Sequence, residues 1–222
     1  MRFGSIRPDL FVPQGNAWRR NARGGPCRGP SVAFAAAKDK KACCMENFAE
    51  LARCRQSVRR YADRPVEREK LEQCLETTRL SPSANNAQPW RFVVVDRPEL
   101  RAEVVRCAML GGMNRWASEA PVFVAVVLER PNLLAAVGSV LQNKEYRLLD
   151  VGMAANQFCL QAADLGLGTC MVGWFDEKRV RRLLGVPRGK RIPLLIAVGY
   201  GEEPLRAKIR KTTDAMASWN RY

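Results

Sequence analysis

The stretch that most constrains the fold runs from residue 81 to residue 96, because it joins a polar loop directly to a strand. Two prolines fix backbone φ angles in the loop, and Asn85 and Asn86 tolerate turn conformations while offering side-chain amides. Residues 92–95 form an unbroken aromatic and β-branched run, which predicts a buried strand. We therefore expect this loop to place hydrogen-bonding amides at the edge of a pocket.

The rest of the chain alternates between helical and strand patterns. Further buried strands are expected at residues 121–128, 169–172 and 192–198, and helices at residues 67–78, 98–109, 150–165 and 176–184. Residues 132–144 are also expected to form a helix, and a mobile one. These patterns by themselves indicate one domain of mixed α and β structure. No apolar run approaches the ~20 residues that a membrane-spanning helix needs, so we expect no membrane partner.

The predicted helix at 150–165 is apolar on nearly all sides and rich in Gly and Ala. A helix of this composition is expected to be buried all round, and its small residues let a neighbouring helix approach closely.

The chain is strongly basic: 37 Lys and Arg residues against 22 Asp and Glu give a net charge of +15. Such a charge suits nucleic acid, a membrane surface or anionic small molecules. Helix-turn-helix, zinc-finger and aromatic RNA-binding motifs are absent from the sequence, which makes nucleic acid an unfavoured partner. The chain has no histidine, which excludes Ser-His nucleophile pairs and His-containing metal sites. Its eight cysteines include no Cys-x-x-Cys pair, which favours reduced thiols in a cytoplasmic protein over disulfides or bound metal.

Residues 1–44 differ from the remainder in composition. They hold nine Lys or Arg residues against two Asp, are rich in Gly and Pro, and show no apolar period. A segment of this kind cannot bury enough apolar surface to order itself. We interpret it as a disordered basic extension or as upstream sequence that precedes the true start at Met45, with a weaker case for an organelle transit peptide. Residues 45–222 are then the single folded domain.

Four segments resemble the FMN-dependent nitroreductase family, and they occur in the order and spacing of that family. The first is Arg55-x-Ser57-x-Arg59, the second is the Pro-Ser-Ala-x-Asn-x-Gln-Pro-Trp-x-Phe-Val-Val run from residue 82, the third covers residues 165–176, and the fourth is Lys208-x-Arg210. The resemblance extends over about residues 45–222. It implies an α+β fold with a central mixed β-sheet of about four strands, flanked by helices, in an intertwined homodimer.

By this resemblance, the first and fourth segments hold the phosphate side of FMN. Arg55 would lie at the phosphate, Ser57 would donate nearby, and Arg59 would reach the pyrimidine edge around N1 and O2. Lys208 and Arg210 would form a basic pair at the same phosphate. These cationic side chains match the phosphate of FMN, because guanidinium groups suit phosphate oxygens and a phosphomonoester carries about −1.5 to −2 charges at neutral pH.

The second segment would contact the flavin ring across the dimer interface. In the family this loop, here Pro82, Ser83, Ala84 and Asn86, belongs to one subunit and reaches the cofactor of the other. The Asn86 carboxamide has both a donor and an acceptor, so it can pair with the flavin N3–H and the adjoining carbonyl.

The third segment would run under the isoalloxazine ring, through Met171, Val172, Gly173 and Trp174. The resemblance implies that backbone N–H groups near Gly173 and Trp174 face flavin O4 and N5. A tryptophan at position 174 departs from the smaller residues that the family often has there, and it would narrow the space above the ring. The preceding Gly-x-Gly is not a dinucleotide fingerprint, because the third glycine is missing and no helix follows a first strand.

The resemblance implies an FMN-dependent oxidoreductase. It would take hydride from NADH or NADPH and pass electrons, by ping-pong chemistry, to a small-molecule acceptor such as a nitroaromatic or a quinone, the flavin carrying the hydride at N5. Two alternatives stay open. Relatives of this fold dehalogenate aromatic rings or consume the flavin itself, and a basic protein of another class could bind nucleic acid through residues 1–44.

Overall fold

The computed structural model of this chain describes residues 47–130 and 144–222. The expectations for residues 1–44, and nearly all of the expected helix at 132–144, lie outside this part of the chain. The described helices and strands follow in the order α1 (Phe48–Cys54), α2 (Arg68–Arg79), β1 (Trp90–Val95), α3 (Pro98–Ala108), β2 (Val122–Leu128), α4 (Tyr146–Asp164), β3 (Gly168–Val172), α5 (Glu177–Leu183), β4 (Arg191–Gly199) and α6 (Thr213–Met216). The four predicted strands and the predicted helices within the described ranges are confirmed, most with ends shifted by one or two residues, while α4 begins four residues earlier than predicted.

The four strands form one sheet in the order β1-β2-β4-β3. Helices flank it, and the fold is α+β as expected. The ladders, however, are antiparallel throughout, where we expected a mixed sheet: Val94 of β1 pairs with Val124 of β2, and Val124 pairs with Ile196 of β4. Among the described residues, the parallel pairing is confined to one bridge between Ser57 and Thr169. The parallel element is therefore a short extended segment outside the four strands.

The sheet separates two apolar cores, one on each face. Because side chains alternate along a strand, Phe123 of β2 packs with α3 and α5 on one face, while Val124 packs with α2 and α4 on the other. On the second face the Phe158 ring of α4 stacks on the Phe92 ring of β1, with centroids 6.0 Å apart. Every residue of β2 is buried, which explains its uninterrupted apolar sequence.

Helix α4 is buried on one side only, which corrects the expectation of burial all round. Val151, Ala155 and Phe158 lie in the core beneath it, where α2 packs against it. On its other side Leu149 is 60% exposed and Met153 is 43% exposed. One apolar face of α4 is thus left uncovered by the described part of this chain. None of the described helices is long and apolar enough to cross a membrane.

Candidate functional site: a cationic pocket beside strand β3

One side of the site is the extended segment Arg55–Arg59, which lies along the edge of β3. The Val58 N–H donates to the Thr169 carbonyl over 2.9 Å, and Ser57 forms the parallel bridge to Thr169. Val58 is buried in the first core. Because side chains alternate along extended backbone, burying Val58 turns its neighbours Ser57 and Arg59 outward.

Two glycines let this segment approach the sheet. A Cβ atom on Gly168 would lie 2.7 Å from a Val58 methyl carbon, and one on Gly201 would lie 3.1 Å from Val58. Either side chain would push the segment outward. The neighbouring Gly166 acts differently, because its φ of +76° ends helix α4 in the left-handed region. The Gly-x-Gly of the sequence therefore serves the turn and the packing, in agreement with the rejection of a dinucleotide fingerprint.

The other side of the site is the C-terminal segment from residue 204 to residue 210. The Gln56 side chain donates to the Pro204 carbonyl over 3.1 Å and accepts the Arg206 N–H over 3.1 Å. The Lys208 ammonium donates to the Arg55 carbonyl. The two segments enclose a pocket of about 330 Å³, lined by Arg55, Gln56, Ser57, Arg59, Arg206, Ala207, Lys208, Ile209 and Arg210.

The pocket is strongly positive, since five of its nine lining residues carry a cationic side chain. Partial burial lowers the pKa of Lys208, and the guanidinium groups of Arg55 and Arg210 lower it further. A lowered pKa means that the protonated ammonium is disfavoured where it stands. A bound anion would relieve that repulsion, so the donor set fits a phosphate group.

All five residues predicted at the phosphate and pyrimidine side, Arg55, Ser57, Arg59, Lys208 and Arg210, line this pocket. Sequence reasoning missed Gln56 and Arg206, which line it as well. A signal for Arg206 was present: Arg206, Lys208 and Arg210 alternate, and alternate residues of an extended chain share one side.

The loop Pro82–Asn86 lies elsewhere in this chain. Asn85 and Asn86 have φ values of 51° and 50°, so the predicted tolerance for turn conformations is used. The Ala84 N–H donates over 3.1 Å to the buried carboxylate of Asp150 on α4, and the Asn86 side-chain oxygen accepts from Gln88. Pro82 lines a separate groove, and none of Pro82, Ser83, Ala84 or Asn86 lines the cationic pocket. Their flavin contacts across an interface stay a prediction.

The segment Met171–Trp174 continues from β3, the strand that carries Thr169. Val172 is buried in the core and pairs with Leu195 of β4, whereas Met171 is 40% exposed. A Cβ atom on Gly173 would meet nothing within 4 Å, which leaves open space above that residue. Trp174 is 63% exposed, and its carbonyl accepts from the Asn114 side chain over 3.1 Å. Roles at the flavin ring stay predictions for these four residues.

Comparison with known proteins decides the family. A family model described as the nitroreductase family matches residues 52–200. The chain belongs to the nitroreductase family. An NADH dehydrogenase of Thermus thermophilus is 29% identical over 188 residues, covering 74% of this chain and 92% of that protein. It follows that this family member is an oxidoreductase.

Solved structures agree with the nitroreductase fold. A nitroreductase family protein of Streptococcus pneumoniae superposes with a TM-score of 0.69 at 26% identity, covering 78% of this chain and 100% of that one. An FMN-dependent nitroreductase of Clostridium difficile superposes with a TM-score of 0.64 at 26% identity, covering 79% and 100%. The matched family region ends at residue 200, so Arg206, Lys208 and Arg210 lie outside it, and the pocket geometry brings all three to the site.

Proposed function

We propose that this nitroreductase family member is an FMN-dependent NAD(P)H oxidoreductase. It takes hydride from NADH or NADPH and passes electrons, in a ping-pong cycle, to a small acceptor such as a nitroaromatic or a quinone. The observation that carries the proposal is the cationic pocket formed by two segments about 150 residues apart. The names of its relatives, an NADH dehydrogenase and an FMN-dependent nitroreductase, add support for the electron donor and for the flavin.

The first role of the pocket residues would be to bind the phosphate of FMN. Arg55 and Arg210 offer guanidinium forks that match phosphate oxygens in pairs, and Lys208 adds a compact charge between them. Ser57 lies on the same side of its segment and can donate a hydroxyl hydrogen bond. A phosphomonoester dianion bound here would offset the mutual repulsion of these cations.

Arg59 would affect the reduction of the flavin rather than the binding of its phosphate. Its guanidinium lies over the Trp116 ring, 5.9 Å from the centroid, which holds the charge by a cation–π contact. When bound, the flavin supplies hydride transfer at N5. Arg59 would then stabilise the negative charge that develops at the pyrimidine edge, and the open space at Gly173 would leave room for the ring.

We further propose that the enzyme is an intertwined homodimer. The uncovered apolar face of α4, with Leu149 and Met153, offers the contact surface. The Asn86 loop is tied to this same helix through the hydrogen bond from Ala84 to Asp150. A partner docking on α4 would therefore also meet the loop, which supports the expected contact between Asn86 and the partner's flavin.

A cytoplasmic location is consistent with the thiols. All five cysteines in the described ranges are free, and four of them are buried. Burial raises the pKa of Cys74 to about 12 and that of Cys159 to about 11, so these thiols stay protonated and inert. Free thiols of this kind suit a reducing compartment.

The deciding experiment measures flavin and turnover together. The purified protein, supplied with FMN, should retain one flavin per chain and oxidise NADH or NADPH when a nitroaromatic or a quinone is added. Varying both substrates should give the parallel double-reciprocal lines of a ping-pong mechanism. Failure of the protein to bind FMN would overturn the proposal, and a salt-sensitive shift of DNA without flavin binding would favour the nucleic-acid alternative.

A further inference from the structure

Arg206 lies outside both the family motifs and the matched region, and several contacts hold it in place. Its backbone N–H donates to the Gln56 side-chain oxygen over 3.1 Å, and its Nη2 atom donates to the Ser57 carbonyl. The same Nη2 atom lies 3.4 Å from Glu203 Oε2. Three residues from two segments thus hold one guanidinium at the rim of the cationic pocket.

Part of this guanidinium remains available. An arginine side chain has five N–H donors. The contacts of Arg206 use Nη2 and, at the long distance of 3.5 Å, Nε, while no described residue accepts from its Nη1 atom. Because Arg206 lines the pocket together with Arg55 and Lys208, the two Nη1 hydrogens are available to a bound anion.

Glu203 contacts both Arg206 and Arg59, the residue expected at the flavin ring. Its Oε1 atom accepts the Arg59 N–H over 3.1 Å, which fixes the Arg59 backbone. Its Oε2 atom is buried and accepts no hydrogen bond from the described residues, so the ion pair with Arg206 is its compensation. The carboxylate therefore keeps Arg206 at the pocket while leaving the pocket's net charge positive.

We propose that Arg206 is a further phosphate-binding residue of this site, and that Gln56 is the residue that positions it. This inference rests on the proposed FMN function and extends it to two residues. A guanidinium that is already held in place loses less conformational freedom when it binds phosphate than a mobile one. Gln56 supplies that order through both ends of its side-chain amide: the NH2 group donates to the Pro204 carbonyl, and the oxygen accepts the Arg206 N–H.

The first test compares FMN with riboflavin, which lacks the phosphate. Arg206→Gln should weaken FMN binding about tenfold, the value of one charge-assisted hydrogen bond, and should leave riboflavin binding unchanged. Arg60→Gln is the matched control, because Arg60 is an exposed arginine next to the segment Arg55–Arg59 that does not line the pocket. Fluorescence titration of the flavin-free protein gives each affinity.

Equal weakening of FMN and riboflavin by Arg206→Gln would overturn the inference, because the arginine would then support the protein and not the phosphate. Unchanged FMN affinity would overturn it too. These outcomes are distinct from failure of the proposed function, in which the wild-type protein itself does not bind FMN. Arg206→Lys retains the charge and should recover part of the lost FMN affinity, which separates loss of the phosphate contact from misfolding.

The second test asks whether Gln56 acts through Arg206. Gln56→Leu keeps a similar volume and should weaken FMN binding severalfold in the wild-type background. In the Arg206→Gln background most of that effect should disappear, because the residue being positioned is already gone. Full additivity of the two substitutions would refute the positioning role, even if Arg206 itself proves to bind the phosphate.

Discussion

Replacing Lys208 with methionine removes one charge from the pocket and keeps most of the length of the side chain. The ammonium has three N–H donors, one of which goes to the Arg55 carbonyl, so two remain for a phosphate. A hydrogen bond to a charged group contributes about 1.5–3 kcal/mol, or about 10- to 150-fold in affinity. Lys208 is only half-buried and water screens it, so the lower value applies. We expect Lys208→Met to weaken FMN binding about tenfold.

The pH dependence of FMN binding should identify Lys208 as the cause. In the free protein its pKa is lowered by burial and by Arg55 and Arg210. A bound dianion favours the protonated ammonium and raises that pKa. FMN affinity is therefore full below the free-state pKa and falls as pH rises from there toward the bound-state pKa. Arginine stays charged throughout this range, so the slope belongs to the lysine.

The stability of the flavin-free protein also depends on the protonation of Lys208, but it changes with pH in the direction opposite to FMN affinity. Because the folded-state pKa is lowered, the unfolded chain binds the proton more tightly. The lowered pKa therefore destabilises the folded protein by its full amount below the folded-state pKa. This destabilisation disappears as pH rises to about 10.4, the ordinary pKa of lysine. Stability of the flavin-free protein should thus rise with alkaline pH over the window in which FMN affinity falls.

Fluorescence titrations of FMN from pH 7 to pH 10 at constant salt provide the measurement. Working above the second phosphate pKa of about 6 keeps the ligand a dianion. Lys211→Met is the control, since Lys211 is an exposed lysine three residues farther along that does not line the pocket. If the wild-type and Lys208→Met proteins show the same affinity and the same pH profile, Lys208 does not bind the phosphate and the reasoning fails.

Three further predictions concern the cofactor, the assembly and the N-terminal segment. Arg59→Gln should lower the two-electron potential of bound FMN by about 30 mV if about 1.4 kcal/mol of preference for the reduced form is lost, and a redox titration showing no change would remove Arg59 from the pyrimidine edge. Light scattering of the FMN-loaded protein should give the mass of two chains even when dilute; a loaded monomer would contradict both the α4 interface and the Asn86 contact. Deleting residues 1–44 should leave FMN content and NAD(P)H oxidation intact, and loss of either would mean that this segment is structural.

Strand β2 illustrates what the local sequence is able to predict. Helices cover both of its faces, so every residue of the strand is buried and apolar, and this apolar run is visible without the fold. Asp176 is similar: its carboxylate accepts the Arg179 N–H over 2.9 Å and caps helix α5, and an aspartate at the start of a helical pattern is a local signal for such a cap. Signals of this kind are local, because the residues that produce them are neighbours in sequence.

Gln56 illustrates what no local pattern predicts. It is a polar residue whose importance comes from a contact with Arg206, 150 residues away in sequence. The strand directions are likewise a property of the whole chain, so the local sequence does not determine them, and the mixed sheet was expected from the family resemblance alone. Helix α4 is a third case: its composition indicated burial, but composition does not say whether Met153 is covered by its own chain or by another.

The distance in sequence between the two sides of the pocket sets an order of events during synthesis. Strand β4 ends at Gly199, so all four strands have been made before Arg206, Lys208 and Arg210 leave the ribosome. All four strands therefore precede the second side of the pocket along the chain, and that side is made after them. A chain that stops between Gly199 and Arg206 would keep the buried residues of both apolar cores and only one side of the pocket, so it should fold but bind an anion weakly.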